Sequence, residues 1–334
     1  MKKTISLFLL FSVSCFQLLV AISDDKLNDF QSSSVDLETF NEPILKNYTP
    51  PRKNAFFAGA VSTLIPGSGY IYLQDYKTAG SLFGSVAAFR GLGYVKNLDS
   101  SVRMSSYLLG VNLSRYGVYA AYRDARAYNN FEGYRYSMPT ESLKDLALAP
   151  FDWSVIKKPE VWGGLLAALS AAVTVGYYAE KSLAKRSERK DSISCNQSKV
   201  KQSFSAIEDK DFPLNAFPVG IGEEAFFRGF LQPTFSEFLT PWGGIALSSI
   251  CFGLAHVSNV LNEPHEERIN YYQYTIPLIT VFGAYFGWMT YKNNSLKESV
   301  ALHSWYDFII FAISASASES ISHHKPSFSM SLEF

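Results

Sequence analysis

Residues 161–179, VWGGLLAALSAAVTVGYYA, contain no charged side chain. As a helix, such a segment is long enough to cross the ~30 Å hydrocarbon core of a bilayer. No water reaches peptide groups at that depth, so the backbone must satisfy its own hydrogen bonds, and only helices and closed barrels do this. Further apolar segments lie at about 55–73, 79–95 and 105–122 in the first half, and at 212–235, 241–259, 272–291 and 297–316 in the second. None alternates with the period of two that a strand requires. The expected fold is therefore all-α, a multi-spanning helical membrane protein.

Composition supports this reading. The chain is 47% hydrophobic and 15% aromatic but only 18% charged, against about 25% charged in a typical soluble domain. Its 30 basic residues balance its 30 acidic ones, so no net field draws it to nucleic acid. Cys15, Cys195 and Cys251 have neither metal-ligand nor disulfide-framework spacing.

The N-terminus, MKK followed by TISLFLLFSVSCFQLLVA, has a basic head, an apolar stretch and a small-residue exit at Ala21-Ile22-Ser23. It reads as a signal peptide or an N-terminal anchor over 1–23. Residues 24–200 form an N-terminal membrane hairpin module and a basic linker, EKSLAKRSERKDSISCNQSKVKQ. Pro66, Gly67 and Gly69 break the first apolar run in LIPGSGYIYLQDYKTAG (64–80). That stretch is similar to the PGxGxxY helical-hairpin signature of small two-span membrane modules, and packing is its expected role. Arg90 and Arg115 interrupt the next two apolar runs. A C-terminal core spans 205–316, followed by a Ser-rich tail over 317–334 with the composition of a disordered segment. The basic stretches 123–158 and 181–201 both carry the cytoplasmic signature, with one clear span between them. Either LALAPFDWSVI (146–156) dips into the membrane or one of these loops breaks the rule.

Ionisable groups at membrane depth cost about 2.5–3.5 kcal/mol each on insertion scales, so they mark functional candidates. Three motifs in the second half carry them. In GIGEEAFFRGF (220–230), Glu224 and Arg228 are four apart and share a helical face, while Glu223 points about 100° away. FGLAH ends in His256, and HSWYD places His303 and Asp307 on one face. Each alone is compatible with a structural role: an ion pair, a satisfied core histidine, a hydrogen bond. Together, a carboxylate, two imidazoles and a further acid are the groups that activate water and stabilise an oxyanion.

EExxxR with a following Gly, then FxxxH, then HxxxD, on successive apolar helices, resembles the CAAX protease and bacteriocin-processing enzymes. These are intramembrane endopeptidases, also called the CPBP or Abi family, and the resemblance covers roughly residues 210–316. It implies that Glu223 is a general base acting with His256 on the attacking water. His303 and Asp307 would contact the developing oxyanion, and Glu224 and Arg228 would form the supporting pair. The family often has Asn where this chain has Asp307; a carboxylate there donates only when protonated, or orients His303 instead. The resemblance implies a metal-free glutamate mechanism, with Glu223, His256 and His303 as the set a zinc ion would use. Expected partners are the lipid bilayer and a peptide or membrane-protein substrate, at the bacterial inner membrane. The alternatives are a non-catalytic membrane scaffold or immunity-type protein of the same fold, and a proton-relay transporter. No inverted repeat between the halves supports the transporter.

Overall fold

Pro66 and Gly67 set the first turn of the chain. Helix α1 (Ala55–Leu64) stops before them, Gly67 adopts φ 86°, and α2 (Ser68–Tyr72) resumes in a new direction. An added Cβ on Gly67 would meet the backbone of Ala79 at 2.5 Å, so no larger residue fits there. This computed structural model describes residues 52–191, 213–262, 265 and 267–323. The leader at 1–23, the polar segment to residue 51, Cys15, Cys195, the end of the basic linker and residues 324–334 lie outside them.

Asp75 caps α3 (Tyr76–Gly93) by accepting from Thr78 N, and Asp99 caps α4 (Ser100–Tyr128) by accepting from Ser101 N. Between Ser142 and Lys158 the chain forms an elbow of short pieces: α5 (Leu143–Leu148), a 3-10 turn (Ala149–Phe151) and α6 (Trp153–Ile156). The apolar residues Leu148, Phe151 and Trp153 of this elbow are exposed. Helix α7 (Pro159–Asp191) follows.

In the second half, α8 (Ala216–Glu224) runs directly into a π-helical turn (Ala225–Leu231) and then α9 (Gln232–Phe238). Thr240 caps α10 (Pro241–Ala255), which tightens into a 3-10 stretch (His256–Asn262). The short α11 (Arg268–Asn270) and a second π turn (Tyr271–Thr275) lead into α12 (Ile276–Asn293). Asn294 ends α12 in the left-handed conformation, φ 46°, a common helix stop. Helix α13 (Lys297–His323) extends past residue 316 into the segment read as tail.

The regular structure among the described residues is all helical, with no strand. Two helices, Pro159–Leu183 and Pro241–Leu261, are long and apolar enough to cross a membrane by length and composition. Two of the other apolar segments fall short of that test for local reasons. The run at 55–73 is split at Pro66, and α4 carries Arg103, Arg115, Arg123, Asp124 and Arg126.

One apolar cluster joins the two halves. Tyr70, Leu82, Phe89, Leu113 and Tyr119 of the first half pack together with Ile221, Ala225, Phe230 and Val300 of the second. A second cluster fills the space between α7, α12 and α13 with Leu165, Ala172, Phe286, Met289 and Tyr306. Helix α8 thus lies between α4 and α13, and close contact on both sides requires small residues. A Cβ on Gly222 would meet Asn112 at 2.5 Å, and one on Gly220 would meet Ser304 Oγ at 2.5 Å.

Candidate active site

The acidic motif straddles the change from α-helix to π-helix at Glu224–Ala225. The amide of Gln232 donates to the carbonyl of Phe227, five residues back. Such turns widen the helix and recur at functional sites. Sequence spacing predicted a regular α-helix here; the structure differs because a fifth residue enters the turn. The Glu224–Arg228 pair survives this, with Arg228 Nη1 donating to Glu224 Oε1 at 3.1 Å and both side chains fully buried.

A buried ion pair is costly unless its remaining hydrogen-bonding capacity is also met. Arg228 Nη2 donates to the carbonyl of Gly283 at 3.1 Å, and one helical turn on, Gln232 Nε2 donates to that of Gly287 at 3.0 Å. The guanidinium also lies over the Phe252 ring, 4.2 Å from its centroid, a favourable cation–π arrangement. Glu224 does more than neutralise Arg228. Its Oε1 also accepts from His303 Nδ1 at 2.8 Å, tying the first motif to the third.

His256 stands where α10 tightens into the 3-10 stretch. Its backbone amide donates to Gly253 and Leu254 rather than to Phe252 four residues back. The imidazole takes up the Phe252 carbonyl instead, at 2.7 Å through Nδ1. A carbonyl only accepts, so Nδ1 carries the proton, and in the neutral ring the Nε2 lone pair is then available. That nitrogen lies 4.0 Å from Glu223 Oε2, and Nε2 of His303 lies 4.0 Å from the same oxygen. Asp307 Oδ2 is 3.4 Å from His303 Nε2. Phe252 packs edge-on to both imidazoles, at 4.9 Å from His256 and 6.0 Å from His303, and Phe286 stacks on His303 at 5.2 Å.

All six residues singled out in the sequence therefore converge on one buried cluster. A seventh was not foreseen. Arg115, on α4, donates through Nη1 to Glu223 Oε1 at 2.8 Å. Its position in an apolar run was its only signal, and Arg90 gives the same signal without reaching the site.

Several polar atoms of the cluster are buried without a hydrogen-bond partner among the described residues: both Asp307 carboxylate oxygens, Glu224 Oε2 and Arg228 Nε. An unsatisfied buried polar group costs about 1–3 kcal/mol, so stability alone does not account for this concentration. Three carboxylates, Glu223, Glu224 and Asp307, face two guanidiniums, Arg115 and Arg228. A doubly protonated His303, with Nδ1–H donating to Glu224, would bring that sum to neutral.

Glu223, His256 and His303 do not fit a metal ion as they stand. Ligand atoms around tetrahedral zinc are about 3.3 Å apart, given bonds of about 2.0–2.1 Å, whereas Glu223 Oε2 is 4.0 Å from each imidazole nitrogen. Arg115 also occupies the other Glu223 oxygen. Among the described residues no group of His, Cys, Asp or Glu is arranged to hold a metal.

The site is thus a buried acid flanked by two imidazoles on packed apolar helices. Residues 211–309 match the family model of type II CAAX prenyl endopeptidases, described as Rce1-like. The resemblance carried by the three motifs is thus shown over the segment that holds all six residues, while Arg115 lies outside it. No curated protein and no solved structure matches the chain.

Proposed function

We propose that the protein is a multi-spanning intramembrane endopeptidase, hydrolysing peptide bonds with water activated by Glu223 and His256. The observation that carries this reading is the position of Glu223 Oε2, 4.0 Å from Nε2 of both His256 and His303. That separation is too long for a direct hydrogen bond and suits one bridging water, with partners at about 2.8 Å. Held between the Glu223 carboxylate and the His256 Nε2 lone pair, a water gives its proton to Glu223 as its oxygen attacks the scissile carbonyl. The carbonyl oxygen gains negative charge against the His303 Nε2–H. The C–N bond then breaks, the leaving nitrogen takes the proton from Glu223, and no acyl-enzyme forms.

Asp307, 3.4 Å from His303 Nε2, flanks that N–H in the resting site; once the substrate carbonyl takes it, Glu224 alone holds the ring, through Nδ1. The elbow at 143–156 faces lipid with its exposed Leu148, Phe151 and Trp153, consistent with LALAPFDWSVI dipping into the membrane. The substrate is a peptide at the bilayer: a lipidated C-terminal peptide, a peptide precursor or a membrane-protein segment. The cellular site is the bacterial inner membrane.

The test is cleavage of a membrane-peptide library by detergent-purified protein, with wild type beside Glu223→Ala and His256→Ala, each with and without a chelator. Cleavage by wild type that is lost in both variants supports the reading, and insensitivity to the chelator supports metal-independent chemistry. Equal cleavage by all three would remove these residues from the mechanism, and equal nulls from folded proteins would favour the scaffold.

A further inference from the structure

Arg115 belongs to the N-terminal half, outside the three motifs, yet it contacts the acid at the centre of the site. We propose that Arg115 is a positioning residue of the hydrolytic site, so that the N-terminal module completes the catalytic centre of the matched segment. The inference rests on the peptidase reading.

The contact is supported from both sides. Asn112, one turn before Arg115, donates its Nδ2 to the Leu108 carbonyl at 2.9 Å, which turns its Oδ1 towards Arg115. Arg115 Nη1 donates to that Oδ1 at 3.0 Å as well as to Glu223 Oε1 at 2.8 Å. Glycine at 222 permits the approach, because a Cβ there would meet Asn112 Cβ at 2.5 Å. The residue before the proposed base is thus shaped to receive the turn that carries the arginine.

Holding Oε1 fixes where Oε2 stands. With Arg115 on one oxygen, the other is left 4.0 Å from each imidazole, the spacing a bridging water needs. Without Arg115, the His303 Nε2–H, 4.0 Å from Oε2, is a donor left within reach of Glu223. Glu223 would be drawn onto it, closing the space for the nucleophile and occupying the N–H meant for the oxyanion. Arg115 is 34% exposed but Glu223 only 10%, so the pair also neutralises a buried acid, and a split between kcat and melting temperature separates that role from positioning.

The test uses the full chain in detergent. Arg115→Ala should stay folded and lose about 10–100-fold in kcat with KM little changed, the scale of a misplaced reacting group. Arg115→Lys should recover part of the loss. Added methylguanidinium should restore turnover several-fold to Arg115→Ala and not to Glu223→Gln. Wild-type kcat in Arg115→Ala, or a loss that follows unfolding and does not respond to methylguanidinium, would overturn the proposal. Thermal unfolding of Arg115→Ala, Glu223→Ala and the double variant gives a readout independent of turnover. If wild type cleaves nothing while the two substitutions combine non-additively, the peptidase reading fails and the positioning contact stands. Additive shifts overturn the contact itself.

Discussion

Glu224 Oε1 accepts from His303 Nδ1 at 2.8 Å, across 79 residues of sequence, while also accepting from Arg228. The second glutamate of the acidic pair is therefore the joint between two motifs, and its two partners make separable demands on it. Arg228 needs its charge neutralised in a fully buried position. His303 needs a fixed ring orientation.

Removing Glu224 strands the Arg228 charge, and breaking a buried pair in this way typically costs about 3–5 kcal/mol. Glu224→Ala should therefore melt far below wild type in detergent. The double variant Glu224→Ala/Arg228→Met should regain much of the lost melting temperature, because the charge leaves with its partner. Activity should not return with it, since His303 Nδ1 still lacks its acceptor. A double variant no more stable than the single would show that Arg228 is satisfied without Glu224.

Phe252 sits between Arg228, His256 and His303 and is buried, which gives the aromatic residue of FGLAH a physical reason. Phe252→Ala should cost about 3–5 kcal/mol through lost burial and a cavity. Phe252→Leu keeps most of the apolar contact but removes the ring face under the guanidinium, so it should destabilise less while still lowering kcat. Chemical unfolding and kinetics measured on the same preparations separate the two effects. Wild-type turnover in Phe252→Leu would show that the ring only fills space.

The six motif residues were legible because an ionisable group inside an apolar segment must find a partner. Spacing of four placed Glu224 with Arg228 and His303 with Asp307. Arg115 was not legible, because an arginine in an apolar run can be satisfied by lipid headgroups or by any neighbouring helix. Arg90 has the same signature, yet packs beside Gly110. Which helices touch is decided by the two-sided packing of α8, through Gly220 against Ser304 and Gly222 against Asn112, and one chain's sequence does not pair those positions. The π turn was hidden for a related reason. It depends on how 225–231 packs against α4, where the ring of Tyr119 lies against Gly229. The break at Pro66–Gly67 was readable because proline and glycine act locally.

Close packing at Gly222 gives a prediction that joins fold to chemistry. Gly222→Ala places a methyl group where Asn112 Cβ already lies, which should push α4 from α8 and lengthen the Arg115–Glu223 contact. Overpacking of this kind costs about 1–3 kcal/mol, and turnover should fall more steeply than stability. Asn112→Gly should not undo this, because its Cα would still lie 2.7 Å from the new methyl group and the Oδ1 that accepts from Arg115 would be lost. Wild-type turnover in Gly222→Ala would show that the α4 contact does not set the position of Glu223.

Asp307 distinguishes two ways of treating the oxyanion. Its Oδ2 lies 3.4 Å from His303 Nε2 and both its oxygens are buried, a placement that suits orienting the imidazole. An asparagine at this position can still accept from the ring through its carbonyl and can also donate. Asp307→Asn should therefore keep kcat within about tenfold of wild type, while Asp307→Ala, which leaves the Nε2 side of the ring unheld, should lose about 10²–10³-fold, the usual range for removing one element of an oxyanion site. Equal losses in the two variants would mean that the negative charge itself is required. In that case Asp307 serves to keep His303 doubly protonated, because the amide preserves shape and hydrogen bonding but contributes nothing to the charge balance of Glu223, Glu224, Arg115 and Arg228.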